Sequence, residues 1–121
     1  MGANWTFTTS GAALSKAGAN VDSTITASGA ALDEWAGQAQ GEIEVETTTD
    51  WHTNFSSLDT GIQNILSAIS SSKIAKQMVS YNNTGYLPGE AQFILNMQDD
   101  IIRQNIAALE KIKNKSLEVK A

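Results

Sequence analysis

His52 is the one histidine of this 121-residue chain, and the one side chain whose ordinary pKa lies near neutrality. Any general base would fall to it. Asp50 stands two residues upstream, a spacing that does not bring two side chains together on a helix. No Gly-x-Ser-x-Gly elbow presents a serine, and the nine glycines form neither a phosphate-binding loop nor a Gly-x-Gly-x-x-Gly run. The chain has no cysteine, which excludes disulfides, Cys-ligated zinc, iron–sulfur centres and thiol catalysis. A lone histidine also excludes a His-pair metal site within one chain. Carboxylates gather at Glu42, Glu44 and Glu46 and again at Asp99-Asp100. On helices such groups read as solvated faces, with a divalent-ion site as the alternative. The expectation is no enzyme, no catalytic residue, no cofactor and no metal, with His52 as a connector residue beside Trp51.

Charge is unevenly placed. Between Ala17 and Ser72 lie Asp22, Asp33, Glu34, Glu42, Glu44, Glu46, Asp50 and Asp59, with no Lys or Arg. The net charge of the whole chain is −5, so that stretch carries −8 and the remainder +3. Near the C-terminal end Lys111, Lys113, Lys115 and Lys120 face only Glu118. Such a run suits the negative pole of a helix dipole. It also suits a head-to-tail contact, the acidic face of one copy against the basic end of the next. The acidic balance argues against nucleic acid as a tightly held partner. No run approaches the eighteen apolar residues of a membrane span, and Met1–Thr6 shows no basic segment leading into an apolar one, so neither a span nor a secretory leader is expected.

The elements that would position these groups are helices. Residues 1–22, rich in Ala, Gly, Ser and Thr, read as an extended arm with one short helix. Trp5-Thr6-Phe7-Thr8 alternates as a short strand would. Ser10-Gly11-Ala12-Ala13-Leu14 recurs as Ser28-Gly29-Ala30-Ala31-Leu32, each copy a serine cap opening a helical turn, the first stopping at Gly18. Leu32, Trp35, Ala36, Ala39 and Ile43 then form one apolar stripe, predicting a helix that ends around Thr47. The strict alternation of residues 42–49 offers a strand as the competing reading. After the connector at 50–57, Ser56 or Ser57 caps a helix bearing Leu58, Ile62, Ile65, Leu66 and Ile69. Ser70-Ser71-Ser72 reads as an interruption that caps a third helix with Ile74, Met78 and Tyr81 on one face. Asn82–Gly85 is a turn signal, and Pro88 suits the start of a last helix of about twenty-four residues. Residues 114–121 read as a polar tail. The fold class is all-α: a bundle of three to four helices over residues 23–113, an N-terminal arm and a C-terminal tail.

Three stretches resemble the head–tail adaptor (connector) proteins of tailed bacteriophages. They are Lys16–Val21 with Ser28–Ile43, then Thr49-Asp50-Trp51, then Lys73-Ile74-Ala75 with Tyr81-Asn82-Asn83-Thr84-Gly85. The resemblance implies a small helical protein in the neck of the virion, made in the host cytoplasm, forming a ring of twelve copies. Its implied partners are itself, the portal protein and a tail or nozzle protein, with DNA passing through unbound and no membrane. Trp5, Phe7, Lys111, Lys113, Lys115 and Lys120 are then the candidates for partner contacts. Asp33, Glu34, Glu42, Glu44, Glu46 and Asp59 are the candidates for lining the channel. A second resemblance, carried by Trp35-Ala36-Gly37, is to the small secreted helical-hairpin proteins of the Trp-x-Gly type; it implies a turn between two helices there.

Overall fold

Four α-helices carry the described chain: α1 (Ser10–Ala17), α2 (Ala30–Thr47), α3 (Thr60–Tyr81) and α4 (Glu90–Lys120), with a 3-10 turn at Phe55–Ser57. The structure, a computed structural model, describes residues 6–18, 30–53, 55–81, 86 and 88–120, with backbone alone at 10, 11, 30, 31, 81 and 113–120. Trp5, the second Ser-Gly serine cap and the Asn82–Gly85 turn lie outside the described residues. No strand occurs among those described, and the architecture is the expected all-α bundle.

The stripe on α2 is buried as its spacing requires: Leu32, Ala36, Ala39 and Ile43 are all covered. Trp35-Ala36-Gly37 sits inside this helix, so it makes no turn between two helices. The strand alternative at 42–49 is not adopted. The helix runs to Thr47, whose hydroxyl donates back to the Ile43 carbonyl at 2.8 Å. Two backbone bonds then close the end, Thr48 N–H to the Val45 carbonyl at 3.3 Å and Thr49 N–H to the Glu44 carbonyl at 3.1 Å. This is a Schellman reversal, and it places Thr48 at φ 51, the left-handed position usually given to glycine.

Ser70-Ser71-Ser72 does not interrupt anything. α3 passes through it as one helix of 22 residues, with all three serines buried. The reason is local: the Ser71 hydroxyl bonds to the Ser67 carbonyl at 2.7 Å, satisfying within the helix a group that would otherwise favour a cap. Ser56 and Ser57 form the 3-10 turn instead of capping α3, which starts at Thr60.

Of the expected arm, the described residues 6–18 include Phe7, Ala13 and Ala17, which are buried in the core. Thr9 caps α1 by accepting from the Ala12 N–H at 3.2 Å, and Gly18 ends it at φ 92. The strand read at Trp5–Thr8 is absent over residues 6–8; Phe7 is instead buried, its ring 5.5 Å from that of Phe55. Burying such a side chain is worth about 2–3 kcal/mol, enough to hold the segment down. α4 has 31 residues and continues through Lys120, longer than the expected twenty-four and into the residues read as a tail, and Pro88 precedes it in a turn ended by Gly89 at φ 80. At 1.5 Å per residue α4 is about 46 Å long against about 33 Å for α3. The two are antiparallel neighbours joined near residue 86, so the extra length lies at the C-terminal end.

The interior has two clusters along the bundle. Ala13, Ala17, Leu32, Ala36, Ile74, Met78 and Tyr86 fill one end. Phe7, Ile43, Trp51, Leu66, Ile69 and Leu109 fill the other.

Candidate functional surfaces and a His–carboxylate cluster

The Schellman reversal turns the chain so that residues 50–52 lie back on the last turns of α2. Glu44 Oε2 accepts from the Trp51 N–H at 3.0 Å and the His52 N–H at 3.1 Å, and lies 2.7 Å from His52 Nδ1. Asp50 Oδ1 is 3.0 Å from the same nitrogen, so the i, i+2 pair that a helix would separate meets on this loop. Trp51 anchors the arrangement. Its ring is buried and its Nε1 donates to the Thr47 hydroxyl at 2.8 Å. Thr53 secures Asp50 through its hydroxyl at 2.6 Å and its N–H at 3.3 Å.

Electrostatics follow from this geometry. The Glu44 hydrogen bond outweighs desolvation and, with the Asp50 charge, raises the His52 pKa above its ordinary 6.5. The Thr53 hydroxyl is the main cause that lowers Asp50 below the usual carboxylate value. One ligand atom from each of Glu44, Asp50 and His52 lies within 4.8 Å of the others. His52 and Asp50 are exposed and Glu44 is partly covered.

An open cleft of about 660 Å³ runs between α2, α3 and α4, with Glu42, Lys73, Lys76, Asp99 and Arg103 on its walls. Each cation there has its own carboxylate. Lys73 Nζ is 2.9 Å from Glu42 and 3.1 Å from Glu46, Lys76 pairs with Asp99, and Arg103 pairs with Asp100. Burial opposes the charge on Lys73, but the two glutamates outweigh it and raise its pKa. The cleft is a paired polar seam.

The channel-lining candidates therefore separate. Glu34 and Asp59 are exposed and Asp33 is half-buried, while Glu42 and Glu46 are committed to Lys73 and Glu44 to the loop. A basic-free stretch of sequence is not basic-free in space, because α3 brings Lys73 to α2. Of the partner-contact candidates, Phe7 is spent inside the chain's own core, a correction forced by its burial. Lys111 is exposed on α4; the side chains of Lys113, Lys115 and Lys120 and all of Trp5 lie outside the described residues.

Composition did not reveal the apolar surface that remains. Val45 on α2 is 78% exposed, and Phe93 and Met97 on α4 are 65% and 43% exposed. Phe93 and Met97 are one turn apart on one face, a signal present in their i, i+4 spacing. No helix among the described residues is long and apolar enough to cross a membrane. Compared with models of known protein families, with curated protein sequences and with solved structures, the chain finds no match in any of the three.

Proposed function

We propose that the chain is a structural, non-enzymatic subunit that assembles into a ring in the neck of a tailed bacteriophage, joining portal to tail around the exiting DNA. The observation that carries the reading is a pair of unlike exposed surfaces on one chain. On α2, Val45 is an exposed apolar side chain; on α4, Phe93 and Met97 form an exposed apolar pair one turn apart, and further along the same helix lies the lysine-rich end. Two different patches that fit each other make a head-to-tail contact, which closes into a ring when the rotation permits. The resemblance to head–tail adaptors supplies the ring of twelve and its partners. DNA sliding through such a ring must not be held, because each phosphate neutralised by Lys or Arg adds affinity. Glu34 and Asp59, both exposed, suit that lining better than Glu42, Glu44 and Glu46, whose charge is already engaged.

The test is assembly with the portal protein, followed by electron microscopy and light scattering. Wild-type chain should form rings on the portal. Lys111→Glu with Lys113→Glu and Lys115→Glu should weaken docking in a salt-dependent way, with helix content unchanged. Normal assembly of that triple variant at low salt, or no ring from the wild type, would refute the reading.

A further inference from the structure

We propose that Glu44, Asp50 and His52 bind a single divalent ion of the zinc class. One imidazole nitrogen and two carboxylate oxygens are the donors such ions take, and three protein ligands leave a position for water. The donors are already gathered: His52 Nδ1 lies 2.7 Å from Glu44 Oε2 and 3.0 Å from Asp50 Oδ1. Around a zinc ion with ligands at about 2.0–2.1 Å, tetrahedral donors stand about 3.3 Å apart. Entry of the ion thus needs His52 Nδ1 to part from Glu44 by about 0.6 Å and from Asp50 by about 0.3 Å, with all three donor atoms already within 4.8 Å of one another. The ion replaces the Nδ1 proton, which leaves to solvent, and the imidazole binds as its neutral form.

The groups are also held from behind. Glu44 is fixed by two backbone N–H groups, and Thr53 fixes Asp50. The loop itself is pinned by buried Trp51, whose Nε1 is bound by Thr47. Ligands oriented by a surrounding shell lose little freedom when the ion arrives. The nearest lysine along this part of the chain, Lys73, is already engaged with Glu42 and Glu46. The loop's two carboxylates therefore share one imidazole, and a divalent cation balances them better than a proton does.

The experiment is calorimetric titration of the tag-free full chain with zinc sulfate, alongside magnesium sulfate. Saturable uptake of one zinc ion per chain is expected, with none for magnesium at the same concentration. His52→Ala and Asp50→Asn, both on exposed side chains, should each weaken zinc binding at least tenfold while circular dichroism stays unchanged. Glu34→Gln should bind as the wild type does. In proton NMR, zinc should shift the His52 ring signals. Absence of saturable zinc binding, or its retention in His52→Ala, overturns the assignment.

Discussion

Thr48 stands at φ 51, where a β-branched side chain crowds the backbone and glycine does not. The strain is tolerated because the reversal it allows brings Asp50, Trp51 and His52 onto Glu44. Thr48→Gly should relieve more strain than it costs in unfolded-state freedom, raising stability by about 0.5–1 kcal/mol in urea denaturation. Lys16 is a second residue at odds with its place. Its amine, half-buried, donates to the Ala68 carbonyl at 3.1 Å and the Ser72 hydroxyl at 3.0 Å, and burial lowers its pKa below 10.5. The folded state therefore binds fewer protons than the unfolded one between the lowered value and 10.5, so this group's contribution to stability rises with pH across that window. Compared with Lys16→Met, the wild type should gain stability from pH 7 to pH 10, measured by urea denaturation of both proteins. Sequence reading found His52 and its carboxylates singly but not together. The reversal that unites them is written with a threonine, where glycine would have announced it.

At the level of elements, α2 was legible because its five apolar residues keep the helical spacing without exception. α3 was not, since three consecutive serines favour caps by local preference, and neither the Ser71 back-bond nor the packing that keeps them interior is written in their spacing. Short side chains at 70–72 leave room on α3 for α1 to lie close, and Lys16 uses that room. The arm at 1–22 has no apolar stripe in the sequence. Ala13 and Ala17 are small, yet both are fully buried, and Phe7 adds the anchor that the stripe lacks. The amides of Ala13–Ala17 should therefore exchange slowly in the isolated monomer, close to the rate of α3 amides. Exchange at coil rates would show that α1 docks only within an assembly.

Over the whole molecule, the division of charge along the sequence is softened by folding: Lys73 crosses from α3 to Glu42 and Glu46 on α2. Twelve copies at −5 each would still give the proposed ring a formal charge of −60, which sets its behaviour toward DNA. The way α1 is fastened has a temporal consequence. Its end is held by residues far along the chain: the Tyr86 hydroxyl donates to the Ala17 carbonyl at 2.8 Å, across 69 positions. The Gln98 amide lies 3.5 Å from the Lys16 carbonyl, across 82 positions. On a ribosome adding about 5–20 residues per second, the last of these partners follows Lys16 by about 4–16 s. α1 is thus fully fastened only long after it is made. α3, whose Ala68 and Ser72 take the Lys16 amine, is made before α4, so α1 can reach part of its seat early and gains the bonds from Tyr86 and Gln98 only later. During that interval the alanine face of α1 lacks part of its cover, and the nascent segment offers an apolar surface to chaperones or to its neighbours on a polysome.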